Sequence, residues 1–421
     1  MQLPNDHPRR FELNNEVHAR PSDVLSARSR ISYLVLLGQT GSGPLVDLCK
    51  KTGCKPPADG VNHFVADMQT FTVRWERHTE FTRYNFSVAV EDSKPFSGTA
   101  LSRVPQDWLA TLPGELFVAN HVELRSLNDI DLDEERLSRA YFAGNPLVAA
   151  TVADGLGRAY TDFRIHEDNF GRILICEDGM TTRQRGRIVQ RLLEIDTYRM
   201  LALLAFPMAK ALVGPVSKFE SELDEITAAM SSGAPASEPE LLDRLTLLHA
   251  NIVSEQTKSQ FRFAAAKAYS QLVGDKIDEL REGRIEGLQQ FSEFTERRLI
   301  PAMKTCEAVE GRLESVSERV SRTTQLLSTR VDISRENQNQ KLLESMDRRA
   351  QLQLRLQQTV EGLSIAAISY YVVGLIAYSI AGAKALNWLP FQKEVLVMAA
   401  IPIVILAIAW GVRRAKKHLK E

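Results

Sequence analysis

The sequence is poor in the features that mark several large classes of protein. Four cysteines, Cys49, Cys54, Cys176 and Cys306, are too few and too scattered in 421 residues for a disulfide framework, so we expect reduced thiols. The formal net charge of −1 gives no electrostatic reason to expect nucleic-acid binding. Residues 1–10 contain no apolar run of the kind found in cleavable signals, so we expect the soluble part to remain in the cytoplasm.

Catalytic and cofactor motifs are also missing. We find no Ser-His-Asp arrangement, nucleophile elbow or HExxH motif, and we predict no enzyme activity and no cofactor. Residues 38–43 (GQTGSG) lie where a phosphate loop would, but the Lys-Ser/Thr pair of that motif is absent, which favours a plain turn over nucleotide binding. His63, Asp67 and His78 show no metal-ligand spacing, so surface polar residues are preferred over a metal site.

Two long apolar segments lie near the end of the chain. Residues 362–383 and 395–412 carry no charged side chain over 22 and 18 positions. A helix needs about 20 mainly apolar residues to cross a bilayer core. Both segments are therefore predicted to span a membrane.

The connection between the two segments predicts a hairpin. Only the 11 residues 384–394 separate them, so both outer flanks lie on one side of the bilayer. The loop carries only Lys384 and Lys393. The tail, residues 413–421, is more basic and contains Arg413, Arg414, Lys416, Lys417 and Lys420. The positive-inside rule then places both termini in the cytoplasm.

Several residues in this region are candidates for a functional or anchoring role. Tyr371, Gly374 and Tyr378 share one helical face, and a buried phenol needs a hydrogen-bond partner. This face is predicted to line a pore or to pack on another helix. Trp388 and Trp410 suit the two membrane interfaces.

The middle of the chain, residues 181–361, is predicted to form a helical bundle and a coiled-coil stalk. Residues 195–216 are apolar enough to suggest a further span, but Asp196, Arg199 and Lys210 argue against it. Residues 302–381 contain no proline, which predicts one long stalk helix. A heptad seam runs along it, at Val309, Leu313, Val316, Val320, Thr323 and Leu327. We expect this seam to pack on identical chains, with the chain's own helices as the alternative.

Residues 1–180 have a different periodicity. Short apolar runs such as residues 31–37 (ISYLVLL) predict strands. Helices are predicted at residues 45–51, 57–67 and 133–141. Strands mixed with helices indicate an α+β or α/β domain.

Two stretches carry a resemblance to a known family. Residues 11–21 (FELNNEVHARP) and residues 337–378, beginning NQNQKLLESMDRRAQ, resemble an uncharacterised family of bacterial membrane-anchored proteins with a domain of unknown function. The resemblance implies a location in the bacterial inner membrane and brings no established activity.

The order of parts resembles that of the CorA-type metal ion transporters. Those proteins have a cytoplasmic α/β domain, a stalk helix entering the first span, a short loop, a second span and a basic tail, and they assemble as pentamers. Their Gly-Met-Asn motif at the outer end of the first span is absent here, where the chain reads AGAKALNW at residues 381–388. Lys384 at such a mouth would repel cations.

The sequence therefore predicts four parts: residues 1–180, 181–361, 362–412 and 413–421. We expect a membrane-anchored homo-oligomer that acts as a scaffold or sensor, with a cytoplasmic domain that binds a ligand or partner. The alternative is a CorA-like ion channel or transporter. The lipid bilayer is an expected partner, and nucleic acid is not.

Overall fold

The computed structural model describes residues 6–11, 13–14, 22–38, 40–92, 94–232, 238–385 and 392–418. Within it the chain forms two compact units, Met1–Thr324 and Gln325–Glu421. The first is an α/β unit built on one large sheet with helices. The second is helical and contains the apolar segments of the sequence.

Eight strands of the first unit form one mixed sheet, in the order β2-β3-β4-β1-β5-β8-β7-β6. Their bounds are β1 Ser29–Leu37, β2 His63–Asp67, β3 Thr72–Arg77, β4 Phe81–Ala89, β5 Glu115–Ser126, β6 Val148–Val152, β7 Gly157–Thr161 and β8 Gly171–Glu177. β5 and β8 pair in parallel, with Asn120 opposite Gly171, and the other pairs are antiparallel. The apolar run at residues 31–37 is confirmed as the inner strand β1, since both of its edges are hydrogen-bonded.

Nine helices accompany the strands in the described residues, together with short 3-10 turns. They are α1 Gly43–Thr52, α2 Gln106–Leu109, α3 Glu134–Tyr141, α4 Thr182–Leu203, α5 Ala205–Ser232, α6 Glu238–Leu280, α7 Phe291–Arg298, α8 Ile300–Ala385 and α9 Lys393–His418. The helices predicted at residues 45–51 and 133–141 are confirmed as α1 and α3. The unbroken helix predicted over residues 302–381 is confirmed within α8.

The helix predicted at residues 57–67 is wrong. His63–Asp67 forms strand β2, paired along its length with β3. The hydrogen bonds of β2 to β3 decide its conformation, and the local sequence does not encode them. His63 and Asp67 therefore do not share a helical face.

One sheet face is covered by α1 and α2 over an aromatic core. Trp75, Tyr84 and Trp108 are each at most 2% exposed. The Trp108 indole Nε1 donates to the Pro44 carbonyl at 2.7 Å, and its ring meets Phe86 edge-on at 6.1 Å. Burying an indole with its N–H satisfied removes the main cost of burying tryptophan. This contact holds α1 against the sheet.

Helix α4 lies behind strands β4, β1 and β5, as shown by contacts of its side chains with residues of those strands. It begins with a capping box in which Thr181 and Gln184 satisfy each other's backbone N–H groups. The basic first turns have acidic partners, since Arg185 pairs with Glu177 at 2.9 Å and Arg191 with Glu279 at 2.9 Å. These carboxylates offset the unfavourable helix dipole.

The expectation that the heptad seam packs on identical chains is wrong for its first part. Val309, Leu313, Val316 and Val320 are at most 4% exposed within the single chain. The chain's own helices reach this stretch, because Arg312 on α8 binds Glu220 on α5 through two nitrogens. The sequence pattern marks an apolar face, and the tertiary fold decides what covers it.

Candidate ligand pocket

A chain of buried charges lies between the sheet and helix α4. Arg74 Nε donates to Glu76 Oε1 at 2.7 Å, and Arg83 pairs with the other oxygen of Glu76. Arg83 also reaches Glu194 of α4 at 3.2 Å, and Arg74 reaches Asp23 at 2.8 Å. Each buried arginine thus has two carboxylates, which compensates part of its desolvation.

The electrostatics of this network keep Glu76 charged. Burial by itself raises the pKa of Glu76, but hydrogen bonds and the charges of Arg83 and Arg74 bring the pKa of this carboxyl well below its ordinary value. Burial raises the pKa of the Tyr33 phenol, whose oxygen lies 3.1 Å from Thr197 Oγ1. The network therefore ties the sheet to α4 and leaves little open space, about 20 Å³ beside Asp23 and Gln190.

A much larger pocket opens further along α4, with a volume of about 410 Å³. Its walls come from β5, from the connection between β7 and β8, and from α4. Most of the wall is apolar and includes Leu116, Phe117, Val118, Ile165, Ile173 and Met200. Pockets of roughly 300–1,000 Å³ with apolar walls and a few placed polar groups are typical of small-molecule sites.

Three polar side chains converge in this pocket. Asp196 accepts from Asn120 Nδ2 at 2.7 Å through one oxygen and from Arg199 Nη2 at 2.5 Å through the other. Asn120 is 3% exposed, and the side chains of Asp196 and Arg199 are 12% and 14% exposed. A Cβ at position 171 would overlap Asn120 Oδ1, so Gly171 is the residue that lets Asn120 reach Asp196.

Phe163 forms the floor under the arginine. The Arg199 guanidinium carbon lies 4.9 Å from the centre of the Phe163 ring, and that ring stacks on Phe294 of α7 at 4.5 Å. Phe163 has φ +51°, a left-handed conformation that is costly for an aromatic residue. The Thr161 hydroxyl accepts the Phe163 backbone N–H at 3.2 Å. The strained turn is thus held so that the ring supports Arg199.

The residues predicted for a pore or packing face do not belong to this pocket. Tyr371 and Tyr378 lie on α8 and are 72% and 82% exposed. Gly374, between them, has no heavy atom within 4 Å of a Cβ built on it. All three lie on an uncovered helix surface in the single chain.

The predicted anchors are described only in part. Trp410 is 63% exposed on α9, and Arg414 places its guanidinium 5.1 Å from the Trp410 ring centre. Trp388 lies outside the described residues. Arg413, Lys416 and Lys417 belong to α9, and their side chains lie outside the described part of the structure.

Among the described residues, three helical stretches are long and apolar enough to cross a membrane by length and composition: Thr182–Ser232, Phe291–Ala383 and Glu394–Val412. A third of the apolar window in Thr182–Ser232 is buried in the protein, against 6% in each of the other two. The charged residues that argued against a span at residues 195–216 include Asp196 and Arg199, both of which line the pocket. Thr182–Ser232 is thus part of the folded first unit.

The other sequence motifs remain apart from the pocket. Residues 38–43 connect β1 to α1, with Gly38 at φ +104°, and residue 39 lies outside the described residues. Nowhere in the described ranges do three or more His, Cys, Asp or Glu side chains form a group able to hold a metal ion. Sequence reasoning missed the pocket, although charged residues on an apolar helix were the available signal.

The fold and pocket define a class of two-part protein, with an α/β unit that contains an open pocket, followed by long apolar helices. The chain belongs to a family described as Protein of unknown function (DUF3422), whose profile matches residues 5–419. The predicted resemblance to an uncharacterised family is thereby confirmed. No curated protein matches the chain.

Proposed function

We propose that the chain is a membrane-anchored sensor or scaffold of the bacterial inner membrane, whose α/β unit binds a small ligand or partner in the cytoplasm. Residues 362–383 and 395–412 act as a transmembrane hairpin. The observation that supports this proposal is the exposure of large apolar side chains on α8 and α9, such as Leu363 at 74%, Leu375 at 66% and Met398 at 76%.

The size of this exposed surface favours a bilayer over water. Soluble proteins rarely leave contiguous apolar patches larger than a few hundred Å² uncovered. Here apolar side chains are exposed along two helical segments that carry no charged residue over 22 and 18 positions. Lipid covers such a surface without cost, because all backbone groups of a helix are satisfied internally.

A homo-oligomer accompanies the anchor in this proposal. Leu342, Leu343, Met346, Leu352 and Leu356 are 58–67% exposed on α8. They precede the apolar segment, in a stretch rich in charged and amide side chains. Identical chains would cover these apolar side chains with each other.

The anchor is tested by a matched pair of substitutions in the full chain. Leu375→Arg places a charge in the proposed span, where it costs about 2.5–3.5 kcal/mol at the helix centre. Leu247→Arg makes the same change on α6, where Leu247 is equally exposed at 65%. We expect Leu375→Arg alone to reduce the share of protein that stays with membranes after an alkaline wash. Full extraction of the unmodified chain by that wash would refute the anchor.

The topology is tested by reporter fusions. A fluorescent protein fused after Glu421 should fold and fluoresce, and alkaline phosphatase fused there should be inactive, because both reporters stay in the cytoplasm. Alkaline phosphatase inserted between residues 388 and 389 should be active. The reverse pattern would contradict the proposed orientation.

A CorA-like ion channel is the second candidate. The continuity of α8 from Ile300 to Ala385 favours it, because a stalk helix that continues into the first span is the architecture of those transporters. The two proposed spans contain no charged side chain, although ion pathways usually use some.

Replacement of the hairpin separates the two candidates. A soluble coiled coil in place of residues 362–418 should preserve the cellular phenotype of a scaffold or sensor whose anchor serves only to assemble it. A channel would lose its function in that replacement. Class averages with fivefold symmetry and ion flux in reconstituted vesicles would support the channel.

A further inference from the structure

We propose that the pocket around Arg199 binds a small organic anion with an apolar body, such as an aryl or alkyl monocarboxylate. This inference rests on the proposed role of the α/β unit as a ligand-binding sensor and names the class of ligand. It is carried by the geometry of one cavity, its unused hydrogen-bond donors and its apolar rim.

The hydrogen-bond donors in the pocket that have no partner in the described residues belong to a cationic side chain. Each oxygen of Asp196 already accepts one hydrogen bond, from Asn120 Nδ2 and from Arg199 Nη2. Arg199 uses Nη2 for Asp196, while its Nε is buried and has no hydrogen-bond partner among the described residues. An unsatisfied buried donor is costly, and a carboxylate oxygen is the acceptor that a guanidinium binds most strongly.

The balance of charge around the pocket also favours an anion. Arg164 lines the pocket from the β7–β8 connection, is exposed, and makes no side-chain ion pair within the described ranges. Asp196 is the sole acidic residue in the described lining. Two arginines against one aspartate leave a net positive charge, which would disfavour a cationic ligand.

Arg199 is already held in place before a ligand arrives. Asp196 binds its Nη2, and the Phe163 ring lies under its guanidinium at 4.9 Å. Phe163 in turn is stacked on Phe294. Preorganisation reduces the entropy lost on binding, so Asp196 and Phe163 act as positioning residues and Arg199 as the ligand-binding residue.

The apolar part of the ligand has its own surface. Leu116 and Ile165 are 53% and 70% exposed and line the pocket, whose deeper wall includes buried Ile173. Exposed aliphatic side chains beside a cavity are an unfavourable contact with water that an apolar ligand body would remove. An inorganic anion would leave this wall uncovered.

The test uses the full chain in lipid nanodiscs and three probes with one carbon skeleton. These are 3-phenylpropionate, 3-phenylpropan-1-ol and 3-phenylpropylamine, titrated calorimetrically with empty nanodiscs as the blank. We expect the carboxylate to bind roughly 10-fold or more tighter than the alcohol, as the gain of a charge-assisted hydrogen bond predicts. The amine should bind more weakly than the alcohol.

Two variants assign the binding to this pocket. Arg199→Gln should weaken the carboxylate by roughly 10- to 100-fold and change the alcohol much less. Ile165→Glu places a negative charge at the exposed rim and should also weaken the carboxylate, without disturbing the core. Val65→Glu is its matched control, since Val65 is 45% exposed on β2 and lies outside the pocket lining. Thermal midpoints verify that each variant is folded.

The outcomes separate this inference from the proposed anchor. Equal affinity for carboxylate and alcohol, or equal weakening by Ile165→Glu and Val65→Glu, would overturn the anion site. A chain that remains in nanodiscs and binds none of the probes would overturn the site and leave the anchor intact. Inorganic phosphate competing as well as 3-phenylpropionate would show that the apolar wall plays no part.

Discussion

Glu76 is the carboxylate on which the buried network depends, and its replacement by glutamine should destabilise the first unit. The side chain is fully buried and contacts two arginines, Arg74 and Arg83. Glu76→Gln keeps the size of the side chain and removes its negative charge. Arg74 and Arg83 would then face a neutral amide.

The magnitude of this destabilisation follows from the carboxylates that each arginine retains. Removal of one partner from a buried ion pair costs about 3–5 kcal/mol. Arg74 keeps Asp23 at 2.8 Å and Arg83 keeps Glu194 at 3.2 Å, so the lower end applies and we expect about 3 kcal/mol. At about 2 °C per kcal/mol for a large domain, the thermal midpoint should fall by roughly 6 °C.

The assay is thermal unfolding of the full chain in detergent, followed by the fluorescence of the buried Trp75 and Trp108. Glu135→Gln is the control, since the ion pair of Glu135 with Arg139 is more than 70% exposed on both sides and should contribute almost nothing. A thermal midpoint for Glu76→Gln equal to that of the control would refute the conclusion that Glu76 stabilises the first unit through the buried network.

The difference in stability between the unmodified chain and Glu76→Gln should depend on pH with a defined sign. The pKa of Glu76 lies below its ordinary 4.5 in the folded protein. Its stabilising contribution is therefore complete above pH 4.5 and is lost as the pH falls from there toward the folded pKa. The difference in thermal midpoint between the unmodified chain and Glu76→Gln should stay constant from pH 8 to 5 and become smaller in more acidic solution.

Three further predictions concern a buried histidine, the cysteines and a glycine. Burial lowers the pKa of His121 from 6.5 to about 4, so the unmodified chain should lose stability as the pH falls from 6.5 toward 4. In urea unfolding, His121→Gln should lose about 1–2 kcal/mol less free energy of unfolding between pH 7 and 5. An equal change of that free energy with pH in both chains would contradict this. A maleimide should modify the partly exposed Cys54 first, and Cys54→Ser should remove the fast phase measured by mass spectrometry, because the other three cysteines are buried. Gly171→Ala should cost about 1–3 kcal/mol by overpacking against Asn120, whereas Gly41→Ala, where the added methyl meets open space, should leave the thermal midpoint nearly unchanged.

Local patterns predicted much of the element content. Residues 31–37 are β1 and residues 302–381 are one helix, because apolar runs and the absence of proline act over a few neighbouring positions. Residues 57–67 were mistaken for a helix because an edge strand such as β2 owes its conformation to the hydrogen bonds of β3. The seam near Leu313 was recognised as apolar, while its partner helices lie far away in the chain.

The sequence by itself determined that this protein has an α/β part, a long helical part and two uncharged apolar segments, since each follows from composition and period over short windows. Only the tertiary structure decided the pocket. Asn120 meets Asp196 across 76 positions of the chain, and Phe163 reaches Phe294 from a different element. Such contacts depend on the order of strands in the sheet and on the placement of α4 behind it. No local pattern encodes that placement, because pairing of distant segments is decided by the packing of the whole unit.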